Sequence, residues 1–258
     1  PEESVVNYKE VAKSFLKEII SNGGIIRYNS KVVDIKDQKN ENKKLILCSG
    51  ESLDANIIIA ASGLYTDKVS KILGLNKDDN QIVPFKGEYY FFKNDYSYLV
   101  KNLVYPLPDE NFPFLGAHFT KMISNKLEVG PNAVLALSRE AYKWNNICLR
   151  EFIDLLKFQG LSKFLIKYPK TSFNELSRSI FKSLFVKDLR NIVPDVKEYM
   201  LLKGESGIRA QLMKKNGELV QDFDIKIEEN VISVLNAPSP AATSSIAIAK
   251  YILRYADL

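Results

Sequence analysis

Two side chains in apolar surroundings are the first candidates for chemistry. His118, the single histidine of the chain, stands in the segment PFLGAHFT, and Arg209 stands in SGIRAQ. A neutral imidazole can act as a general base near neutral pH. A guanidinium among apolar residues needs an anionic partner, and a planar carboxylate matches its two-pronged geometry. His118 is therefore a candidate base and Arg209 a candidate carboxylate ligand.

Both residues also have ordinary structural interpretations. A lone histidine among apolar residues is typical of a hydrogen-bonded core position. A buried arginine is commonly paired with an aspartate or glutamate of its own chain. The spacing of the residues leaves both interpretations open.

A third candidate is the start of the last helix, in the segment SPAATSS. Ser239 is a suitable N-cap and Pro240 suits the first helical position. A helix N-terminus offers free amide donors to an anionic group. The small residues that follow would equally allow the helix to pack tightly on a sheet.

The first 80 residues predict a mixed α/β unit. An amphipathic helix is expected from Asn7, its candidate N-cap, to Gly23 and Gly24. Alternating apolar residues predict short strands at 24–28, 31–37 and 45–50. The run NIIIAAS predicts a strand buried on both faces, followed by a turn at Gly63 and a short helix.

The pattern changes after residue 80. Short aromatic segments broken by proline and glycine predict an antiparallel sheet containing EYYFF, LVYPLP, FPFLGAHFT and LEVGP. Residues 148–190 read as helices interrupted at Gly160 and Pro169. Three further strands and a terminal helix complete the chain. We therefore expect a mixed α/β fold with a Rossmann-like part at 1–80 and an antiparallel-sheet domain at 81–203. Residues 204–258 are expected to add strands to that sheet and then to complete the Rossmann-like part with the terminal helix.

Composition excludes several functional classes. With 46% hydrophobic residues in 258 and no long apolar run, the chain predicts a soluble, cytoplasmic protein. One histidine and two distant cysteines, Cys48 and Cys148, predict neither a metal site nor a disulfide framework. A net charge of +5 without a nucleic-acid motif makes nucleic acid an unexpected partner.

Several stretches resemble the family of L-2-hydroxyglutarate dehydrogenases and oxidases, FAD-dependent members of the D-amino-acid-oxidase-like superfamily. The similar stretches run in order along nearly the whole chain and include VNYKEVA, AASGLYTDKVSKILG, IVPFKGEYY, FPFLGAHFT, LEVGPNAVLA, GIRAQ and VLNAPSPAATSSIAI. Members of this family carry a glycine-rich dinucleotide fingerprint in a first strand-turn-helix unit. In this chain no two glycines stand two positions apart, so we expect it to begin after that unit, with roughly the first third of the family pattern absent.

The resemblance implies an activity and a cofactor. The implied reaction is oxidation of a 2-hydroxy acid, L-2-hydroxyglutarate above all, with a hydride passing to the flavin of FAD. Arg209 would bind a substrate carboxylate, His118 would take the hydroxyl proton, and the remaining substrate-binding residues would be Tyr89, Tyr105, Asn132 and Lys86. The family often has arginine at the position of Lys86, and lysine keeps the charge but lacks the planar fork that matches a carboxylate. Tyr89 has sheet core as its alternative, and Asn132 a tight turn.

The resemblance also places residues near the cofactor. Val33 would lie near the adenine, Gly63 at a crossing on the nucleotide side, and Asn236 before the loop that meets the flavin. The start of the last helix would stabilise negative charge on reduced flavin, through Ser239, Pro240, Ala241, Ala242 and Thr243.

Alternatives to this function are a related flavoenzyme acting on glycerol 3-phosphate or a small amino acid, and an inactive fragment without bound FAD. The electron acceptor is a quinone, oxygen or an electron-transfer protein. Residues 150–190 hold nine Lys and Arg against four Asp and Glu among six phenylalanines. This composition is typical of a solvated basic face over a core, and it also favours weak peripheral contact with the inner membrane.

Overall fold

The computed structural model describes residues 4–37, 42–107, 116–238 and 241–255, and it divides the chain between two units. The first unit takes the chain up to Lys77 and again from Asp222, and the second is Asp78–Gln221. The second unit is thus inserted between two parts of the first. The boundary expected after residue 203 falls inside a strand, because the pairing of that strand continues to Met213.

The first unit begins with helix α1 (Tyr8–Ser21). The Asn7 side chain accepts a hydrogen bond from the Lys9 backbone N–H at 3.1 Å, so the predicted N-cap is confirmed. The helix ends before Gly23, which has a φ of +82°. No residue of α1 is buried, and its apolar Phe15 and Ile19 are exposed.

Three antiparallel strands follow in the order β1 (Val32–Asp37), β2 (Lys43–Leu47) and β3 (Ser52–Ala55). The strand expected at 24–28 is wrong: among the described residues this segment belongs to no sheet, and Ile25 is 86% exposed. Alternating apolar residues produce a strand only where a neighbouring backbone supplies the hydrogen bonds.

A second sheet has the order β10 (Asp224–Glu228), β11 (Val231–Asn236) and β4 (Ile58–Ala60), with β11 and β4 parallel. The expectation that the strand around 57–61 is buried on both faces is wrong. Ile58 and Ala60 are buried but Ile59 is 43% exposed, because it points to the opposite face of the sheet, which the described residues leave partly uncovered. Helices α2 (Thr66–Ile72) and α7 (Ala241–Tyr255) complete the first unit.

The second unit is built on one antiparallel sheet, as predicted. The long strand β5 (Gln81–Phe92) pairs with β9 (Leu201–Met213) and also with β7 (Leu127–Gly130) and β8 (Val134–Leu135). Strand β6 (His118–Lys121) extends the sheet beyond β7. The strand expected in LVYPLP is reduced to a single bridge between Val104 and Phe119. The residues expected as strand at 112–115 lie outside the described ranges.

Four helices pack beside this sheet: α3 (Leu149–Lys157), α4 (Gln159–Lys167), α5 (Pro169–Ile180) and α6 (Lys182–Leu189). Pro169 begins a helix as expected, but the expected break at Gly160 is wrong. The chain breaks at Phe158 instead, and Gly160 lies inside α4, where a Cβ would come within 2.4 Å of the Lys214 carbonyl oxygen. Buried Phe164 and Phe185 contact Phe85 and Tyr90 of the sheet.

The elements as a whole confirm the mixed α/β class. Among the described residues, no helix is long and apolar enough to cross a membrane.

Candidate active site

A bulge in β9 lies opposite Tyr89, because two residues of β9 stand against this single residue of β5. Glu88 pairs with Ser206 of β9, whereas Tyr90 pairs with Lys203, so the register shifts at Tyr89. A bulge of this kind changes the direction of a side chain relative to the regular strand. Tyr89 and Arg209 interact electrostatically, and both are partly buried.

Burial governs the protonation of this pair. It raises the pKa of Tyr89, and the positive charge of Arg209 only partly opposes that rise. Burial lowers the pKa of Arg209, while Tyr89 and Glu175 act in the opposite direction. A guanidinium remains protonated at neutral pH despite such a shift. The pair therefore presents a cation beside a neutral phenol.

His118 has one ring nitrogen fixed by the backbone. Its Nδ1 lies 3.3 Å from the carbonyl oxygen of Gly116. A carbonyl oxygen only accepts hydrogen bonds, so Nδ1 carries the proton and Nε2 of the neutral ring carries the lone pair. Burial lowers the pKa of His118, the Gly116 carbonyl raises it, and the positive charge of Arg209 lowers it further. The net effect favours the neutral ring, which is the form that can accept a proton.

Tyr105 stacks on this imidazole. The two ring centroids are 4.7 Å apart with an angle of 32° between the planes. Tyr105 is 45% exposed, whereas His118 is only partly accessible. The structure therefore links four predicted residues, Tyr89, Arg209, His118 and Tyr105, through pairwise interactions within the second unit.

The other two predicted residues, Lys86 and Asn132, belong to a separate network around Glu88. The Oε1 atom of Glu88 accepts from Lys86 Nζ at 3.1 Å and from Trp144 Nε1 at 3.0 Å. Its Oε2 atom accepts from Asn132 Nδ2 at 3.1 Å and also from the Ser179 hydroxyl. A carboxylate has about four acceptor positions, so this one is saturated.

The network engages the functional groups of Lys86 and Asn132. The Lys86 ammonium also lies over the ring of Trp144, 3.6 Å from its centroid, and the residue is 2% exposed. The Asn132 Oδ1 atom accepts from the backbone N–H of Glu88 at 2.7 Å. Both residues therefore hold the sheet to its neighbouring segments, and Asn132 does so through its side chain and not as part of the tight turn considered as its alternative.

Burial and hydrogen bonding oppose each other at Glu88. Burial raises the pKa of this carboxyl, but the hydrogen bonds from Ser179 and Asn132, together with Lys86, outweigh burial and hold the pKa below its usual range. Burial lowers the pKa of Lys86, and Glu88 partly offsets this effect.

In the first unit, the carboxyl ends of the parallel strands β4 and β11 lie at one edge of the sheet. Gly63 follows β4 with a φ of +52°, and Asn236 ends β11. The Asn236 side chain donates to the Asp222 carbonyl oxygen at 2.7 Å. This edge is where open α/β sheets bind ligands.

Helix α2 is fixed to β11 below that edge. The Thr66 hydroxyl donates to the Val234 carbonyl oxygen at 2.7 Å, and the hydroxyl oxygens of Ser70 and Ser233 are 2.5 Å apart. All three side chains are buried. These polar contacts hold α2, the helix that follows the turn at Gly63, against β11.

The remaining predicted cofactor residues are accessible. Val33 is 45% exposed at a bulge in β1, and α7 begins at Ala241 with exposed Ala242 and Thr243. A Cβ at Gly63 would meet no atom within 4 Å, so the space beside this turn is open. Small and open positions of this kind fit one side of a flavin nucleotide. Ser239 and Pro240 lie outside the described residues.

A family comparison agrees with this arrangement. The family model described as FAD dependent oxidoreductase matches residues 1–254. The chain belongs to this family. FAD is thus the family's cofactor, as the sequence resemblance implied, and the FAD-dependent oxidoreductase assignment covers both units.

Three relatives of the chain are named L-2-hydroxyglutarate dehydrogenase. The protein of Indibacter alkaliphilus is 42% identical over 256 residues, which cover 99% of this chain and 64% of that protein. The mitochondrial proteins of Dictyostelium discoideum and Mus musculus are 38% and 36% identical, each over 100% of this chain and over 61% and 58% of their own lengths. The chain therefore spans about three fifths of the length of these relatives.

One solved structure shares the fold. The dithionite-reduced L-α-glycerophosphate oxidase of Mycoplasma pneumoniae with FAD bound superposes with a TM-score of 0.68 at 18% identity, over 96% of this chain and 55% of that chain. This similarity supports the fold class.

Sequence reasoning missed Glu88, Trp144 and Ser179. Glu88 had one local signal: it stands two positions from Lys86 on a strand, which places both side chains on one face. No local signal in the sequence indicated Trp144 or Ser179, because these residues contact Glu88 from a distant loop and from α5. Among the described residues, no group of three His, Cys, Asp or Glu side chains is suited to a metal ion.

Proposed function

We propose that the protein oxidises L-2-hydroxyglutarate to 2-oxoglutarate with FAD as its cofactor. The observation that carries this proposal is the similarity of almost the whole chain to three proteins named L-2-hydroxyglutarate dehydrogenase. The group formed by Tyr89, Arg209, His118 and Tyr105 supports it, because the group combines a carboxylate-binding cation with a neutral base. The same similarity does not favour glycerol 3-phosphate or a small amino acid as the substrate.

FAD, when bound, supplies the hydride acceptor for C2 of the substrate. The Arg209 guanidinium binds a substrate carboxylate through two parallel hydrogen bonds. The Nε2 atom of His118 takes the proton of the C2 hydroxyl, since Nδ1 is held by Gly116. Tyr89 and Tyr105 donate hydrogen bonds that orient the substrate. Lys86 and Asn132 contribute by holding the sheet, through Glu88, in the shape that positions Tyr89.

In the first unit, FAD would be held at the carboxyl ends of β4 and β11. Val33 would contact the adenine side of the nucleotide, and Gly63 allows its close approach. Asn236 and the first turn of α7 would lie on the flavin side, with Ser239, Pro240, Ala241, Ala242 and Thr243 next to the negative charge of the reduced ring.

The test is a substrate comparison with the full-length, FAD-loaded protein. L-2-hydroxyglutarate, its D enantiomer, glycerol 3-phosphate and a small amino acid are each supplied with an artificial electron acceptor. We expect 2-oxoglutarate to form only from the L enantiomer, in proportion to the acceptor reduced. A higher kcat/KM for glycerol 3-phosphate or for the amino acid would contradict the proposal.

The physiological acceptor is a quinone, oxygen or an electron-transfer protein. Substituting each of these for the artificial acceptor, with L-2-hydroxyglutarate in excess, distinguishes the three by the rate of 2-oxoglutarate formation. We place the protein in the cytoplasm, in part at the inner membrane.

The membrane contact would be made by α3 to α6. Phe158, Phe164 and Phe185 are buried in the core, as the structural interpretation of this segment requires. Large apolar side chains nevertheless remain exposed on these helices, namely Leu156, Ile166, Phe173, Ile180 and Phe181.

The positive charge of the same helices favours contact with an anionic surface. Arg178 is paired with both Glu175 and Asp188, so its positive charge is used within the helices and offsets part of their negative charge. Exposed cations remain at Arg150, Lys157, Lys163, Lys167, Lys170 and Lys187. A basic, partly apolar face of this kind binds anionic lipid headgroups weakly.

Co-sedimentation of the full-length protein with vesicles tests the contact. We expect binding to anionic vesicles at low salt and release at high salt, because the attraction is screened within a Debye length of about 8 Å at physiological ionic strength. Equal binding to neutral vesicles, or no binding to either kind, would exclude it.

A further inference from the structure

A cavity of about 290 Å³ lies within the second unit, between β5, β8 and helices α4 and α5. Neither Arg209 nor His118 lines it, although Glu175, which does, interacts electrostatically with Arg209. At about 30 Å³ per water molecule, its volume corresponds to roughly ten waters. The cavity is therefore large enough for a ligand rather than a packing defect.

The walls of the cavity are apolar. They include Leu135, Leu161 and Phe164, and the only residues with polar side-chain oxygens among them are Ser172 and Glu175. The Oε2 atom of Glu175 accepts from the Ala133 backbone N–H at 2.9 Å, and its Oε1 accepts from Arg178. Among the described residues, no buried side-chain nitrogen or oxygen lacks a hydrogen-bond partner.

The walls carry few polar atoms, and cavities of this character take up apolar molecules. Access is available from the surface. Leu165, Phe173 and Leu176 line the cavity and are themselves 38%, 69% and 40% exposed. All three lie on α4 and α5, among the helices that carry the exposed basic residues.

Trp144 connects the cavity to the network of Glu88. Its ring lines the cavity, its Nε1 atom donates to Glu88 at 3.0 Å, and Lys86 lies against the ring at 3.6 Å. A molecule in the cavity would therefore contact a residue that helps to hold β5 in place next to Tyr89.

We propose that this cavity binds a hydrocarbon chain, the alkyl or prenyl tail of an amphiphile that enters between α4 and α5. The occupant is defined by the lining, which is almost entirely apolar. The inference does not depend on the substrate proposed above, and the binding measurement needs no catalysis.

Trp144 is the only tryptophan in the 258 residues and provides the measurement. The ring is 36% exposed, so a hydrocarbon that displaces water from it shifts its emission to shorter wavelength. The purified chain is titrated with straight-chain alcohols from butanol to decanol. We expect a saturable shift, with affinity rising about fourfold (about 0.8 kcal/mol) for each added methylene until the cavity is full.

A matched pair of variants locates the binding. Ser172→Leu fills the cavity from α5 and should weaken decanol binding at least tenfold. Ser162→Leu makes the same exchange at an exposed position of α4 outside the lining and should bind as the unmodified chain does. If Ser172→Leu does not fold, Leu176→Phe reduces the cavity by another route, with the same expectation.

A second titration distinguishes the sources of the chain. Decanol and a decyl-tailed benzoquinone are compared by calorimetry. Equal affinity would indicate that the cavity recognises the hydrocarbon chain alone, as in a lipid. Tighter binding of the quinone would indicate that the natural occupant is the tail of a quinone. The proposal is overturned if neither compound binds saturably, if affinity does not depend on chain length, or if Ser172→Leu binds as tightly as Ser162→Leu.

Discussion

The ammonium of Lys86 lies 3.1 Å from the carboxylate of Glu88, and both side chains are almost completely removed from water. Taking two charges out of water is costly unless further hydrogen bonds compensate. Glu88 receives these from Asn132, Trp144 and Ser179. The pair therefore depends on three segments outside β5, and the loss of either charge should affect all of them.

Glu88→Gln should destabilise the protein by about 3 kcal/mol or more. The exchange leaves the Lys86 ammonium buried without its counter-charge and turns an amide donor toward Asn132 Nδ2, which is also a donor. Chemical denaturation measures the loss. The same exchange at Glu228, which is exposed and paired with Lys77 at 3.0 Å, should cost about 1 kcal/mol or less. Equal losses for the two variants would contradict the buried network.

Adding Asn132→Asp to Glu88→Gln should recover part of the lost stability. The new carboxylate at position 132 accepts from the amide at position 88 and keeps one negative charge near Lys86. Asn132→Asp alone places two carboxylates together and should destabilise the protein by itself. A double variant less stable than either single variant would argue against this pairing.

His118→Asn should lower turnover roughly a hundredfold or more while FAD remains bound, because the base at Nε2 is removed. In the unmodified enzyme, the neutral ring accepts the proton, so kcat/KM should fall as pH drops through a pKa below the usual 6.5 of histidine. The pH profile and the flavin absorbance are the two measurements. Loss of bound flavin, or an acid limb that survives in the variant, would favour a core role for His118.

Arg209→Lys should raise KM for L-2-hydroxyglutarate more than it lowers the melting temperature. The positive charge is kept, but the bidentate geometry toward a carboxylate is lost. Arg27→Lys is the matched control, because Arg27 forms an exposed ion pair with Glu51 in the first unit. An unchanged KM in Arg209→Lys would assign Arg209 to the fold rather than to the substrate.

Ser70→Ala should cost about 1–3 kcal/mol, because it leaves the fully buried Ser233 hydroxyl without its partner on α2. Changing both serines to alanine removes the unpaired group and should cost less than the sum of the single changes. Urea unfolding of the two single variants and the double variant gives the coupling energy. Strict additivity would show that the two hydroxyls do not interact.

Local signals predicted the features that depend on neighbouring residues. Asn7 caps α1 and Gly23 follows its end, because capping and left-handed backbone are properties of a few adjacent positions. Pro169 begins α5 for the same reason. The aromatic segments predicted an antiparallel sheet, and the second unit is built on one. The strand expected at 24–28 did not form, and the strand expected in LVYPLP is a single bridge.

Features that depend on distant residues required the tertiary structure. The parallel pairing of β4 with β11 joins segments more than 170 positions apart, and it determines that Gly63 and Asn236 share an edge. The bulge of β9 opposite Tyr89 is visible only in the pairing of β5 with β9. The sequence predicted a helix break at Gly160, but this residue is helical. Its lack of a side chain leaves room for the backbone carbonyl oxygen of Lys214.

The sequence by itself determined the α/β class, the family resemblance, and His118 and Arg209 as the candidate base and carboxylate ligand. Only the tertiary structure decided which polar groups face each other. In the folded chain, Lys86 forms an ion pair with Glu88, Asn132 donates a hydrogen bond to Glu88, and Tyr105 stacks on His118. The physical reason is that periodicity records which face of an element is apolar, whereas a buried carboxylate is stabilised by donors that meet only when separate segments fold together.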